Sequence, residues 1–526
     1  MKRALTLLSV LCTFVATLTV GTSASMAATA DGGVDCQHVA APDVPGATVE
    51  SLTGVDKPAA GGVPARCEVD LYLTHPGVGD HVRVAVWLPS SGWNGRYQGT
   101  GGASWAAGVF DFYLAPAVAQ GFAAASTDAG TGTNQADPSS WALKADGTVN
   151  TELLTNFASR SVHDMTVAAK QVITSFYGKA PSYSYWNSCS TGGRQGLMEA
   201  QRYPTDYNGI VAAAPAINED RLTVGGLWPQ VLMNESHDYL SSCKLNAFTQ
   251  AAIAQCDTRD GAPADGIIEQ PEDCDYDPHG LVGQTVVCDG QSSTITTTDA
   301  DVVAGIWRGP TSPDGRHNPW YGMTRGAALD QVAAITTDSD GTTHGAPFPV
   351  TDTWIRYFLK KQPSFDTSTV TRGQFAQLFV QSQNEYNKII GTDDPDLTAF
   401  RNAGGKMITW HGQADQIITP LNTVDYIHRV WSTIGSAADT NSFYRVFFAP
   451  GAGHCGLGSY GPFPPDNGLG AVMNWVENGQ APATLPAAMV DGSGATVTRN
   501  LCLFPQTAHY DGHGDPKAAA SYHCAA

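Results

Sequence analysis

Between Tyr183 and Ala214 the chain passes from an apolar, β-rich stretch through a glycine-containing turn into a helical stretch, and then into a second apolar run. Tyr183-Ser-Tyr-Trp-Asn187 reads as a strand, Leu197-Met-Glu-Ala-Gln201 belongs to a helix, and Gly209-Ile-Val-Ala-Ala-Ala214 reads as a buried strand. Strand, helix and buried strand in that order imply a parallel sheet covered by helices, because parallel neighbours need a long crossover rather than a tight turn. The rhythm recurs elsewhere. His81–Pro89 alternates as a strand, a turn at Trp93-Asn-Gly leads into another, and Phe122–Ser126 is a short buried run. Asn156–Tyr177 places Val162, Met165, Ala168, Ala169, Val172 and Ile173 at helical spacing, and Lys406–Trp410 and Tyr444–Phe448 read as strands. From Cys36 to about Val69 the chain is rich in Pro and Gly and reads as loop with short strands. From Asn218 to Asp396 the rhythm lapses into loops, acidic turns, cysteines and scattered tryptophans. The expected class is α/β, with a core built from residues 28–217 and 397–526 and a domain inserted at 218–396.

Ahead of this core stands a leader. Lys2 and Arg3 precede an apolar run, Ala4 to Val20, too short and too rich in Thr and Ser for a membrane span, and small residues around Ala27 and Ala30 follow. Residues 1–27 are therefore expected to be a signal peptide and the mature chain to be secreted. The net charge of −20 offers no basic face for nucleic acid and no attraction to an anionic membrane; it favours solubility. Of 11 cysteines, Cys12 lies in the leader, and the even remainder in an exported chain points to five disulfides. No CxxC pair occurs, so the usual signature of thiolate metal sites is missing.

Ser190 sits at the junction of the Tyr183 strand and the following helix, in Ser188-Cys189-Ser190-Thr191-Gly192. A sharp strand-to-helix turn lifts a serine hydroxyl above a sheet, beside amides that stabilise negative charge. The usual pattern is G-x-S-x-G; here a serine replaces the first glycine. Such serines are common in loops, so the partners carry the argument. Asp415 follows the strand ending at Trp410, and His454 lies on the Gly-rich loop after the strand ending near Phe448. Both stand past the C-terminal end of a strand, and Ser, Asp, His is the chain order of α/β-hydrolases. His411 is a nearby competitor for the base. In this reading His454 deprotonates Ser190, Asp415 orients the imidazole, and two amides bind the oxyanion. Thr191 supplies one amide and the Gly99–Gly102 loop the other, with Gly102 preferred. Cys189 precedes the serine and Cys455 follows the histidine, so a formed triad brings them together and a disulfide between them fastens the two loops.

Two further clusters stand out. Cys256–Ile267 carries Asp257, Asp260 and Asp265 among glycines, which reads equally as a cation loop or as a solvated acidic turn. His509-Tyr-Asp-Gly-His513 has the spacing of a zinc pair, but Gly512 and Gly514 argue against the helix it needs, so a structural C-terminal loop is the better reading.

Taken together, these residues resemble the tannase and feruloyl esterase family. Tyr185–Gln201 resembles its nucleophile segment, and Cys189-Ser190, Asp415 and His454-Cys455 match its Cys-Ser, Asp and His-Cys signature. Ser126–Gly130, Trp141–Leu143, Leu501-Cys502 and Tyr510–Asp515 resemble other family stretches, so the likeness spans nearly the whole mature chain. It implies an α/β-hydrolase core with a large inserted lid domain, and a structural Ca²⁺ held in the lid by Asp257, Asp260, Asp265 and the carbonyls of Ile267 and Ala262. One extra residue stands between Asp260 and Asp265 relative to the family pattern. The resemblance also implies the disulfides Cys189–Cys455, Cys36–Cys67, Cys243–Cys256, Cys274–Cys288 and Cys502–Cys524.

The activity it implies is hydrolysis of aromatic-acid esters through an acyl-enzyme, on feruloyl esters of plant cell-wall polysaccharide. Galloyl esters and monoesters of terephthalate are the near rivals. Trp105, Trp354 and Phe379 are candidates for flat apolar walls around the acid. A calcium-stabilised binding protein on an esterase scaffold, or a peptidase, would be a different class of answer; the intact triad speaks against the first.

Overall fold

The computed structural model describes residues 34–526 except 259–260, 263–264, 289 and 313–317. The leader, read at residues 1–27, lies outside the described residues. A nine-stranded sheet forms the centre, from β1 (Thr48–Lys57), β2 (Arg66–Thr74), β3 (Val82–Pro89), β4 (Arg96–Gly99), β5 (Ala123–Thr127), β6 (Tyr183–Cys189), β7 (Gly209–Ala213), β8 (Lys406–Gly412) and β9 (Tyr444–Ala449). Their order is β1-β2-β3-β5-β4-β6-β7-β8-β9. The first four run antiparallel to one another, and the series from β5 to β9 is parallel. The sequence pattern explains the split. β2 alternates buried and half-buried residues along its length, as an antiparallel strand with one wet face does. β5 and β7 are buried at every position, as parallel strands covered on both faces must be.

Helices cover both faces. α1 (Phe110–Ala119) packs on one face, and α2 (Ser161–Tyr177) and α3 (Thr191–Arg202) pack on the other. The six apolar positions read from the sequence in α2 are all buried, and Gly178 ends the helix in the left-handed conformation (φ 70°). This is the α/β-hydrolase arrangement. Residues 214–405 are inserted between β7 and its parallel neighbour β8. They carry helices Trp228–Ser236, Ser242–Cys256, Thr297–Arg308 and Arg372–Ile390 around a separate hydrophobic core. Among the described residues no helix is long and apolar enough to cross a membrane.

Two expectations are corrected. The stretch from Cys36 to Val69 is no loop with short strands: β1 is ten residues long and pairs along β2, with β1 on the sheet edge. Only Val49, Leu52 and Gly54 of β1 are half-buried, and a bulge between Val49 and Ser51 breaks the alternation that marks a half-buried strand. Five disulfides form, and Cys36–Cys67, Cys189–Cys455 and Cys502–Cys524 pair as expected. The expected Cys243–Cys256 and Cys274–Cys288 do not; Cys243 pairs with Cys288 and Cys256 with Cys274. The reason is the helix Ser242–Cys256, which holds Cys243 and Cys256 at opposite ends. At 1.5 Å per residue they stand roughly 20 Å apart, far beyond the Cα spacing a disulfide spans. Cys502–Cys524 ties the C-terminal segment as expected, but His509 lies on a strand rather than in a loop, because Thr507–Tyr510 pairs with Tyr522–Ala525.

Peptide mapping of the unreduced protein should recover Cys243–Cys288 and Cys256–Cys274 cross-links; a Cys243–Cys256 peptide would refute this helix. Replacing Cys256 and Cys274 by alanine should cost about 3 kcal/mol, seen as a Tm several degrees lower.

Candidate active site

Ser190 stands between the end of β6 and the start of α3 with φ 66° and ψ −125°. A non-glycine residue in this region carries strain of order 1–3 kcal/mol and persists only where its surroundings enforce it. Here the Ser190 N–H donates to Ala213 O (3.0 Å) in β7, and its carbonyl accepts from Arg194 N (3.0 Å) one turn into α3. The turn is also close-packed. A Cβ on Gly192 would lie 1.9 Å from Ser188 Oγ, and one on Gly193 would lie 2.2 Å from Ala213 O. The serine at 188, in place of the usual glycine, is therefore accommodated by the bare backbone of Gly192.

Asp415 and His454 come from the loops after β8 and β9. His454 Nδ1 lies 2.8 Å from Asp415 Oδ2, and Asp415 Oδ1 accepts from the amides of Ile417 (2.9 Å) and Ile418 (2.7 Å). Asp415 is fully buried. Burial alone would raise its pKa, but the adjacent His454 and His411 rings hold it well below the ordinary carboxylate range. Gln416 steadies the histidine loop, its Oε1 accepting from His454 N (2.9 Å) and its Nε2 donating to Leu457 O (3.2 Å). With Nδ1 engaged by Asp415, Nε2 is left for the cavity that His454 and Ser190 both line. His411, the rival base, is fully buried and absent from that cavity. Its ring contacts Thr423 Oγ1 (2.8 Å), Ile418 O (3.0 Å) and Asp415 Oδ2 (3.2 Å), so it braces the acid from behind.

The disulfide Cys189–Cys455 joins the residue before Ser190 to the residue after His454, with Cα atoms 6.0 Å apart and a sequence separation of 266. Cys455 itself adopts φ 52°. Cross-linking so long a loop is worth about 5 kcal/mol in the chain-entropy picture. Its local effect is to fasten the loop of Ser190 to the loop of His454, although the two follow different strands.

Thr191, as the first residue of α3, has an N–H with no intrahelical acceptor, and its Oγ1 donates to Ser104 O (3.0 Å). The expectation for Gly102 is corrected. Its N–H donates to Gln195 Oε1 (3.0 Å), its carbonyl accepts from Gly192 N (3.1 Å), and it does not line the cavity. A glycine is needed there for packing: a Cβ on Gly102 would stand 1.8 Å from Ala106 O. Gln195, whose Nε2 also donates to Ala107 O (3.0 Å), clamps this loop to α3. Sequence reasoning missed Gln195 because nothing in its spacing marks a helix residue that reaches a distant loop.

The cavity has a volume of about 580 Å³ and lies between the sheet's C-terminal edge and the insertion. Its aromatic walls are Phe112, Tyr113, Phe348, Trp410 and Phe463. Trp105, Trp354 and Phe379 do not reach it. They are buried in the hydrophobic cluster that the insertion shares with Trp105, Trp141 and Phe157 of the first core segment, where Trp105 stacks on Trp354 with centroids 6.0 Å apart. In the acidic loop, Asp257 Oδ2 accepts from Gly266 N (3.3 Å), while Asp257 Oδ1 is buried with no hydrogen-bond partner among the described residues. Asp265 Oδ1 accepts from Ile267 N (2.9 Å), and Asp265 Oδ2 meets Arg499 Nη2 (2.6 Å). Ala262 and Ile267 are buried beside them, and Asp260 lies outside the described residues.

A serine on a strained elbow, an imidazole held by a buried carboxylate and a free helix-start amide in one cavity can together perform acyl transfer to water. Known proteins agree with that chemistry. A family model described as "Tannase and feruloyl esterase" matches residues 67–525. The chain is 43% identical over 505 residues to a probable feruloyl esterase of Arthroderma benhamiae, covering 93% of each. It is 32% identical to feruloyl esterase B of Aspergillus niger over 84% of each chain. Among solved structures it is similar to a tannin acyl hydrolase from Aspergillus niger (TM-score 0.83, 27% identity, 92% of each chain) and to feruloyl esterase B from Aspergillus oryzae (TM-score 0.76, 29% identity, 92% of this chain and 97% of that one). The chain belongs to the tannase and feruloyl esterase family and is a carboxylic ester hydrolase.

Proposed function

We propose that the protein is a secreted feruloyl esterase whose nucleophile is Ser190, whose base is His454 and whose acid is Asp415. The observation that carries this reading is the Asp415–His454 contact at 2.8 Å, beside a cavity shared with the strained Ser190. His454 Nε2 takes the proton of Ser190 Oγ as the oxygen attacks the ester carbonyl. The tetrahedral oxyanion is bound by the Thr191 amide and a second amide from the neighbouring loop. Gly102 has spent its N–H on Gln195, and Ala103 donates to Ala106 O, so the Ser104 amide is assigned instead; Ser104 lines the cavity with φ 49°. His454 then protonates the departing alcohol, and water, deprotonated by the same ring, releases the acid.

Support for an aromatic acyl group comes from the cavity's apolar walls and from the named activities of the relatives. The alcohol is proposed to be a plant polysaccharide sugar. Five disulfides, the fungal relatives and the apolar leader support export. The insertion acts as the lid over the site.

A structural Ca²⁺ is also proposed in the acidic loop. The buried, unpartnered Oδ1 of Asp257 is the kind of oxygen a hard cation satisfies, and Asp260, Asp265 and the carbonyls of Ala262 and Ile267 complete the proposed set. Arg499 shares the Asp265 carboxylate, so this site carries less net negative charge than its aspartates imply. The ion would brace the insertion and takes no part in the chemistry.

Ser190→Ala should abolish turnover of methyl ferulate, and Asp415→Asn should lower kcat by about 10⁴ with KM little changed, because the amide leaves the ring in the wrong tautomer. Unchanged turnover in the serine variant would refute the site. Chelation should lower Tm by several degrees while room-temperature activity falls less; an unaltered Tm in protein shown by elemental analysis to have lost its metal would refute the ion's role.

A further inference from the structure

Glu219 is the acidic side chain that lines the catalytic cavity away from the triad. It begins α4 (Glu219–Gly225), directly after the β7 loop that holds Ser190 in place, and it is only 3% exposed. Its Oε2 lies 2.7 Å from Nε of Arg194, a guanidinium with no solvent exposure at all. Arg194 is fixed in turn: Nη1 donates to Ala158 O (3.0 Å) and Nη2 to Phe157 O (3.4 Å). Burial raises the pKa of Glu219, and the facing Arg194 opposes that rise. A carboxylate offers about four acceptor positions, and the contact to Arg194 is an ion pair in which Glu219 Oε2 accepts no hydrogen bond among the described residues. Those positions belong to a group that is nearly dry and borders the space where substrate must lie.

Among the lining residues Phe112 (70% exposed) and Leu457 (66%) mark an opening to solvent. Glu219 and the lining residues Thr223, Val332, Val350 and Thr351 are by contrast buried. An alcohol attached to a polymer can leave only through the opening, so the buried part receives the acyl ring. We infer that Glu219 is a specificity residue that accepts a hydrogen bond from a phenolic hydroxyl on the acyl ring, with Arg194 holding its carboxylate in place. This rests on the esterase reading above. The same geometry selects against acyl groups that end in a free carboxylate, whose charge would face that of Glu219 in a desolvated site.

The test uses the purified full chain and kcat/KM for methyl 4-hydroxycinnamate, methyl cinnamate and methyl 4-methoxycinnamate, with monomethyl terephthalate as the anionic probe. The wild-type enzyme should prefer the hydroxylated ester by roughly tenfold or more, since a site built around a buried acceptor rejects the analogue that lacks the donor. It should be slowest on the terephthalate ester. The paired substitution Arg194→Met with Glu219→Leu removes both charges and leaves neither buried alone. It should erase the preference, bringing kcat/KM for the hydroxylated ester down toward that for methyl cinnamate. Glu219→Gln should reduce the preference and relieve rejection of the terephthalate ester. A wild-type preference under twofold against either control overturns the inference, and this comparison needs no variant to fold. Equal losses on all esters in the variants would also overturn it, reducing Glu219 to a counter-ion for Arg194. If the wild type turns over none of the cinnamates, the feruloyl esterase reading fails with it; Ser190-dependent turnover without discrimination sinks the role of Glu219 alone.

Discussion

The covalent bond between Cys189 and Cys455 ties together the loops of Ser190 and His454, which the chain places on opposite sides of the insertion. Without it, Ser190 and His454 would depend on the docking of β6 and β9, two strands that do not touch in the sheet. Two non-glycine residues in the left-handed region, Ser190 and Cys455, flank this bond, one directly after it and one as its own half. Local strain of that kind survives because the surrounding contacts over-determine it. The β7 carbonyl, the start of α3 and the disulfide together supply those contacts.

Around this tether the site is arranged in shells of decreasing rigidity. Asp415 is held by two amides and two histidines, so its carboxylate has one orientation and stays ionised. His454 is held by Asp415 on one side and by Gln416 through its backbone. Gln195 fixes the glycine loop from α3, closing the amide of Gly102 to any ligand. The walls of the cavity come from the insertion on one side and from the sheet's own loops on the other. The proposed triad therefore belongs to the α/β core, and the shape of the cavity is set by how the insertion packs on it.

Much of the core was legible along the chain because parallel strands buried on both faces are continuous apolar runs, and α2 shows its buried stripe at helical spacing. The edge strand β1 was not legible, since most of it is exposed and a bulge breaks the alternation of its half-buried side. Cys243 and Cys256 show a second limit. Thirteen positions of separation are compatible with a short loop or with a helix, and only the helix forbids the bond. Trp105 and Trp354 show a third: size and aromaticity mark a residue as packed, and the neighbours it packs against lie far off in sequence.

The sequence alone determined the proposed triad: its residue types, their order and their places after strand ends, because an elbow, a carboxylate loop and a histidine loop are each local patterns. The surroundings of those groups were settled in three dimensions. Which amide stays free for an oxyanion depends on Gln195 reaching back from α3 to Gly102. Which aromatic rings face the ester, and that a carboxylate shares the cavity with them, depends on how residues 214–405 lie against the sheet. Contacts of this kind join residues hundreds of positions apart, and nothing in the spacing of either partner records the other.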